Sequence, residues 1–396
     1  MSLFPEEPLS AASSDGCGYF PAFPGLKLDE DRYEVVHKLG FGPRSSVWLV
    51  KDIKNARYIA LKILTVHASP QGSKELEALK FTQREDLDEL PALQCHFTTN
   101  STHGEHLCIG LAVMGASVGA LRLSSPSKTL PIHVVQKAIG SMIQPLASLH
   151  RRSVIHGAVT PDNMLFFAGR NDDEIKSGLA KLPPCTVENK VVVDGVEYPI
   201  VRSHSLPHGY QWNEKKEVLA HSSIELHNVG HTHIIKAGAH PTWSGVDVGL
   251  RPPEVIIETS FDTKVDIWML GCAAFELISG EPLVPPEKTE DEGDQLAWLQ
   301  AMTKDVIKRE MALRSPDGVR QCFFADNGFF VEEIPEDSIS SRLANIPSLT
   351  PEDRQEAARF IERCLALDPE DRPTIEQLRH DAWLQPGYAC SCGYCG

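Results

Sequence analysis

A glycine-rich turn and a lysine further along the chain are residue types that can bind phosphate. In LGFGPRSSVWLV, Gly40 and Gly42 stand between two runs of strand-forming residues. Glycines in such a turn let backbone N–H groups approach a phosphate without interference from a Cβ atom. Lys62 follows in a later strand-like run, and Glu75, in a helix-forming stretch, can pair with it and orient its ammonium group. Taken singly, a plain hairpin turn and two surface charges explain the same residues.

Three strand-like runs have to position the turn and the lysine. They are RYEVVHKL (32 to 39), SVWLVKD (46 to 52) and YIALKIL (58 to 64). β-Branched and aromatic residues dominate them and short turns separate them, which predicts an antiparallel meander. SKELEALK (73 to 80) predicts a short helix, and HLCIGLAV (106 to 113) predicts a further strand.

The second half of the chain has helical patterns. Apolar residues recur at three- and four-residue steps from Val135 to Leu149, which predicts an amphipathic helix. VDIWMLGCAAFELISG (265 to 280) is apolar around most of its circumference and predicts a buried helix. Thr350 and Thr374 begin capping patterns of two later helices. We therefore expect an α+β protein, with a small β-rich lobe containing one helix and a larger, mainly helical lobe.

The order of these strand and helix patterns, together with the composition of the segments around them, predicts how the chain is divided. Residues 1–31, rich in Pro, Ser and Gly, predict a flexible N-terminal segment. The small lobe is expected at 32–115 and the large lobe at 116–386. An insertion at about 169–235, broken by Pro, Gly and His, interrupts the large lobe, and residues 387–396 form a Cys-rich tail.

Charge and hydropathy exclude several classes of function. The formal net charge of −16 argues against a direct nucleic-acid partner and favours cationic partners. We find no apolar run of about 18 residues that could span a membrane, and the start of the chain lacks the pattern of a secretory signal. Scattered cysteines predict buried thiols of an intracellular protein of the cytoplasm or nucleus. The tail sequence CSCGYC offers three thiols, and a closed zinc site there would need a distant residue such as Cys17.

Several motifs follow one another in the order found in protein kinases. They are HGAVTPDN (156 to 163), RPPEV (251 to 255), DIWMLG (266 to 271) and DPEDRPT (368 to 374). The resemblance covers about residues 32 to 386. The segments YEVVHKLGFGPRSSVWLVKD, FELISGEPLVPP, HDAWL and GCGYFPAFPG resemble in particular the SR-protein kinases, which phosphorylate serines in Arg-Ser-rich segments. A long insertion after the catalytic loop is also a trait of that family, so the resemblance implies a bilobal kinase fold.

The resemblance assigns roles to particular residues. It implies a nucleotide site formed by Gly40, Gly42, Val47, Ala60, Lys62, Glu75, Val113 and Met114. Within that site Lys62 and Glu75 would hold the phosphates, and the backbone of residues 112–115 would form the hinge. Three further residues would be structural: Glu254 and Arg372 as a buried ion pair, and Asp266 as the anchor of the catalytic loop.

The catalytic residues depart from the family pattern. The family's loop reads H-x-D-x-K-P-D-N, and this chain has Ala158 at the base and Thr160 at the phosphate-directed lysine. Asp162 stands four residues past the base, so we expect a local cap or surface contact from it. HIIKAGAHPTW (233 to 243) aligns with the metal-binding motif and puts Lys236 at its aspartate, unless the motif lies elsewhere in the divergent insertion. Asn163 is then the expected metal ligand that remains, so we expect weak ATP binding and no magnesium.

These departures favour a pseudokinase of the SR-protein-kinase type, which binds or scaffolds Arg-Ser-rich or other basic protein segments. The alternatives are an active serine/threonine kinase with a rearranged loop and a different nucleotide-dependent reaction in the same cleft. EKTEDEGDQLAWLQ (287 to 300) carries Glu290, Asp291, Glu292 and Asp294 where the family has an acidic groove for arginine-rich segments. A solvated loop explains the same charges.

Overall fold

The computed structural model describes residues 6–87, 89–169, 171–185, 187–193, 195–235, 243 and 247–388. The chain is divided into two compact units, one of residues 1–116 and 165–209 and the other of residues 117–164 and 210–396.

The strands are β1 (Lys27–Leu28), β2 (Tyr33–Gly42), β3 (Ser45–Asp52), β4 (Arg57–Leu64), β5 (Cys95–Ser101), β6 (Gly104–Leu111), β7 (Met114–Ser117), β8 (Val154–Ile155), β9 (Met164–Phe167), β10 (Val187–Val193), β11 (Val196–Val201), β12 (Ile224–Leu226) and β13 (His233–Ile234). The helices are α1 (Gly72–Arg84), α2 (Val118–Leu123), α3 (Ile132–His150), α4 (Asp172–Leu179), α5 (Lys216–Leu219), α6 (Pro253–Ile256), α7 (Lys264–Ser279), α8 (Glu292–Thr303), α9 (Arg309–Ala312), α10 (Asp317–Phe323), α11 (Ile339–Ala344), α12 (Pro351–Cys364), α13 (Ile375–Arg379) and α14 (Gln385–Tyr388).

An antiparallel sheet forms the centre of the first unit, with its strands in the order β1-β2-β3-β4-β6-β5. The predicted meander corresponds to β2, β3 and β4 and is confirmed. In the register of β3 and β4, Val47 lies opposite Lys62 and Leu49 lies opposite Ala60. Because side chains alternate along a strand, these four residues share one face of the sheet.

Within the segment expected to be flexible, the described residues from Glu6 onward include several that are packed in the first unit. Phe20 and Ala22 belong to the same apolar cluster as Trp48. Tyr19 is buried, and its hydroxyl donates to the carbonyl of Gly42 at 2.8 Å. Burying one large aromatic side chain contributes about 2 kcal/mol, which opposes the entropy cost of ordering the segment. The expectation of flexibility rested on the Pro, Ser and Gly content of the segment. The aromatic residues Tyr19 and Phe20 between them are buried and hold the segment in place.

The insertion is divided between the two units. Its first part, within residues 165–209, belongs to the unit that contains the sheet. This part contains α4 and the antiparallel hairpin of β10 and β11, which the sequence indicated as possible strand. Residues 210–235 belong to the helical unit.

Helix α7 is the buried centre of the second unit, as the sequence predicted. Its residues from Val265 to Phe275 are all buried. Helix α3 runs through Pro145 and buries its apolar side. Both predicted capping boxes are present, with Thr350 accepting from the N–H of Asp353 and Thr374 from that of Gln377.

Among the residues that the structure describes, no helix combines the length and the apolar character that crossing a membrane requires.

Candidate functional site

The glycine turn joins β2 to β3. Gly40 pairs with Val47 and Gly42 with Ser45. A Cβ atom placed on either glycine would meet no other atom within 4 Å. The space beside the α-carbon of each glycine is therefore open, while the carbonyl of Gly42 accepts from the hydroxyl of Tyr19.

Lys62 and Glu75 form the predicted ion pair. The ammonium of Lys62, on β4, donates to both carboxylate oxygens of Glu75, on α1, at 2.7 and 2.8 Å. The two side chains are only 15% and 6% exposed, so solvent screens their interaction weakly. Strand β4 and helix α1 thus fix the lysine at the same face of the sheet as Val47 and Ala60.

The apolar residues predicted for the nucleotide site are covered by other parts of the same unit. Ala60, Val113 and Met114 are all buried. Ala60 and Val113 share one apolar cluster with Ile175 and Leu206, and Val47 packs against this cluster. The two insertion residues therefore lie where the resemblance places a nucleotide.

Sequence reasoning missed Ile175 and Leu206. A local signal exists for α4, because Ile175, Leu179 and Leu182 recur at steps of four and three residues and all pack in this cluster. Leu206 has no such signal, because it is a single apolar residue in an irregular segment.

In the second unit, Asp266 anchors the catalytic-loop segment as predicted. Its carboxylate accepts hydrogen bonds from the backbone N–H groups of His156 and Gly157, at 2.9 and 2.8 Å. The imidazole Nε2 of His150 lies 2.9 Å from the same carboxylate. Gly157 has φ +74°, and a Cβ there would lie 2.6 Å from the carbonyl oxygen of His231, so this position requires glycine.

The surroundings of Asp266 and His156 lower the pKa of both groups and so oppose their protonation. Burial alone raises the pKa of Asp266, but the hydrogen bond and charge of His150 and the Gly157 N–H lower it below its usual value. Burial lowers the pKa of His156 to about 4, against the opposing effect of Asp266. At neutral pH the loop is therefore held by an ionised aspartate and a neutral imidazole.

The loop has no carboxylate at the position of the base. Ala158 is 2% exposed, and its carbonyl accepts from the side-chain amide of Asn163 at 2.9 Å and from the N–H of Thr160 at 3.1 Å. Asp162 lies against α2, where the hydroxyl of Ser117 approaches it at 3.5 Å, which agrees with the expected surface contact. The loop is therefore held by hydrogen bonds to the Ala158 carbonyl but offers no side-chain base at residue 158.

The start of the segment aligned with the metal-binding motif pairs with the strand before the catalytic loop. His233 and Ile234 of β13 pair with Ile155 and Val154 of β8, directly before the catalytic loop. Lys236 itself lies outside the described residues, as do the cysteines of the tail. Its role as the replacement for the metal-binding aspartate stays a prediction.

The predicted buried ion pair of Glu254 and Arg372 is present. The guanidinium donates to both oxygens of the carboxylate, at 2.6 and 2.7 Å, and the two side chains are 1% and 0% exposed. Arg372 also donates to the carbonyls of Ala366, Leu367 and Lys264. This arrangement satisfies the donors of a fully buried guanidinium group.

The four acidic residues around the start of α8 differ in their roles. Asp291 caps the helix by accepting from the N–H groups of Gly293 and Asp294. Glu292 accepts from Arg251 at 2.7 Å. Glu290 and Asp294 are exposed. Asp291 and Glu292 therefore have structural roles, and the carboxylate of Asp294 lies 3.9 Å from the ammonium of Lys288.

The known proteins that resemble this chain in sequence are protein kinases. The protein kinase domain family matches residues 216–384. The serine/threonine-protein kinase SRPK of Physarum polycephalum is 24% identical over 380 residues, which are 92% of this chain and 88% of that protein. Human dual specificity tyrosine-phosphorylation-regulated kinase 3 is 23% identical over 274 residues, or 68% of this chain and 37% of that protein.

A crystal structure of a kinase domain matches the fold with a TM-score of 0.65 and 20% identity, covering 93% of this chain and 99% of that one. This likeness confirms the predicted fold class, a β-rich lobe with one helix and a mainly helical lobe.

Proposed function

We propose that this chain, which carries a protein kinase domain similar to those of serine/threonine kinases, is a pseudokinase that binds Arg-Ser-rich or other basic protein segments. One observation supports the loss of catalysis most strongly. The catalytic loop is anchored by Asp266 through two backbone hydrogen bonds, yet a buried methyl group stands at Ala158. The loop is held in place by Asp266, and residue 158 has no side chain that can accept a proton.

The missing group has a defined task in phosphoryl transfer. The oxygen of a substrate hydroxyl attacks the terminal phosphorus of ATP, the bond to the leaving ADP breaks, and the hydroxyl proton has to be accepted by a carboxylate. A protein kinase domain is in general an ATP-binding module, but neither Ala158 nor Thr160 can perform this step. General-base catalysis contributes a factor of about 10² to 10⁴, and electrostatic stabilisation contributes a similar or larger one.

The alternative is an active serine/threonine kinase with a rearranged loop. The intact pair of Lys62 and Glu75 favours it, because the pair holds the phosphates in active kinases. Both alternatives place the protein inside the cell, in the cytoplasm or nucleus, where basic protein segments are available.

Restoring the base alone is expected to leave the protein inactive. Ala158→Asp supplies a carboxylate, but Thr160 and the predicted Lys236 still replace two other members of a unit whose effects are not additive. Transfer of radiolabelled phosphate from ATP to an Arg-Ser-rich peptide measures this directly. We expect no transfer above the enzyme-free blank from the wild type or from Ala158→Asp. Transfer that Lys62→Ala removes would establish the alternative, an active kinase.

Binding of an Arg-Ser-rich peptide is expected to need the exposed acidic residues at α8. Reversing Glu290 and Asp294 to lysine keeps the helix cap at Asp291 and the ion pair of Glu292. Fluorescence anisotropy without nucleotide should show a loss of affinity of about tenfold or more in this double variant. Wild-type affinity should also fall steeply as salt rises to about 0.3 M, because the charges are screened.

The matched control reverses Glu352 and Glu356, which are exposed at α12 and change the net charge equally. It should keep the wild-type affinity. An equal loss in both double variants would show that net charge alone attracts the peptide, and an unchanged affinity at α8 would remove this surface from the proposal.

A further inference from the structure

An apolar slot in the first unit is filled by the chain's own insertion. Leu39, Ala60 and Val113 form its walls, and Ile175 and Leu206 from the insertion complete the same cluster. Leu206 is 1% exposed, as expected for a side chain enclosed on all sides. The resemblance assigns adenine contact to Ala60 and the hinge to residues 112–115, which include Val113, and Leu39 of β2 packs in the same cluster.

Backbone hydrogen bonds hold the filling segment, Ser203–Leu206, on both sides of the slot. On the side of β2, the N–H of His204 donates to the carbonyl of Lys38 at 2.9 Å, and the hydroxyl of Ser205 donates to that of Leu39 at 3.3 Å. On the hinge side, the N–H of Ala116 donates to the carbonyl of Leu206 at 3.2 Å. The segment thus bridges the slot from β2 to the hinge.

A buried ionic cluster attaches the N-terminal segment to the same residues. Glu6 accepts from the backbone N–H and the hydroxyl of Ser203, both at 2.8 Å. Lys38, 1% exposed, donates to Glu6 at 2.7 Å, to the carboxylate of Glu7 and to the carbonyl of Val201. Breaking these contacts would leave a buried charge without its partner, so the cluster secures the segment in its position.

Packing excludes a nucleotide while this segment is in place. A purine needs apolar contact on both of its faces, and protein interiors are too closely packed to hold both a purine and a leucine side chain in one slot. The residues present therefore do not fit ATP in this conformation. We propose that Ser203–Leu206 is an intramolecular occupant of the adenine slot, so that a purine binds only when the segment is displaced. This inference goes beyond the proposed scaffold function and does not depend on it.

Hydrogen exchange of the wild-type protein tests the displacement. The N–H groups of His204 and Ala116 are donors in the two bridging hydrogen bonds and should be protected without ligand. Adenosine or ATP at saturating concentration, in the presence of EDTA, should increase exchange at both amides by about tenfold or more. Saturation with adenosine while both amides keep their protection would overturn the proposal, because purine and segment would then be bound together.

Shortening the occupant should open the slot. Leu206→Ala is expected to bind adenosine at least about tenfold more tightly than the wild type in titration calorimetry, because no leucine has to be displaced. Val192→Ala also truncates an aliphatic side chain of the insertion, but at a position in β10 that is 63% exposed, and this control should behave as the wild type. Equal affinity of Leu206→Ala and the wild type, or no binding by either, would contradict a purine slot.

A second variant covers the case in which Leu206→Ala does not fold. Glu6→Gln weakens the bond to Lys38 without removing a side chain from the slot, and it should shift adenosine binding in the same direction. Binding of the Arg-Ser-rich peptide is measured without nucleotide, so its success or failure is separate from that of this proposal.

Discussion

Replacing Glu254 by alanine is expected to lower the free energy of unfolding of the helical unit by about 3–5 kcal/mol. The side chain of Arg372 is 0% exposed, and its guanidinium donates two hydrogen bonds to the carboxylate of Glu254. The substitution removes this carboxylate and leaves the charge of Arg372 buried without its partner. The remaining carbonyl acceptors carry no full charge and cannot replace the carboxylate. Urea unfolding followed by circular dichroism measures the effect.

An exposed ion pair of the same unit provides the control. Arg151 and Glu376 lie 3.0 Å apart, and both side chains are 49% exposed. Glu376→Ala should cost no more than about 1 kcal/mol, because solvent screens this pair. Similar losses in the two variants would show that burial does not determine the contribution of Glu254.

Lowering the pH from 7.5 to 5.0 is expected to destabilise both units, because each contains a histidine that burial keeps neutral in the folded state. Burial lowers the pKa of His156, in the helical unit, and of His208, in the sheet unit, each to about 4. The unfolded chain has its ordinary histidine pKa of about 6.5 and therefore binds protons first as the pH falls. Stability is thus full above about pH 6.5 and decreases as the pH falls toward 4. From pH 7.5 to 5.0 each histidine should cost about 2 kcal/mol.

The structure gives a geometric reason for this behaviour at His156. The N–H of Ala158 donates to its Nδ1 at 3.3 Å, so a proton on Nδ1 would remove an acceptor within the catalytic loop. Burial similarly lowers the pKa of His37 and His106, which adds to the effect with the same sign.

Urea unfolding at pH 7.5 and 5.0 measures the loss. In the wild type the rings of His208 and Phe166 stack with their centroids 4.1 Å apart, and His208→Phe keeps an aromatic ring in that place. The free energy of unfolding that the sheet unit loses between pH 7.5 and 5.0 should be about 2 kcal/mol smaller in this variant than in the wild type. His380→Phe, at an exposed position, should leave the pH dependence as in the wild type. An unchanged pH dependence of His208→Phe would contradict the assignment to this residue.

The sequence by itself determined the parts of this protein that have local patterns or motifs. Alternating and aromatic-rich runs predicted β2, β3 and β4, and a continuous apolar run predicted the buried helix α7. Motif spacing predicted the pair of Lys62 with Glu75, the pair of Glu254 with Arg372 and the anchor at Asp266. These predictions succeed because the partners belong to motifs whose geometry the fold repeats.

Tertiary structure alone decided which segments cover the sheet. Glu6 and Ser203 lie almost two hundred residues apart and meet at Lys38, although neither stands in a periodic pattern. Leu206 is one apolar residue of an irregular segment, and only its position between Leu39 and Val113 gives it a role. Such contacts depend on how distant segments pack rather than on local preference, because burial stabilises any apolar side chain that fills the available space.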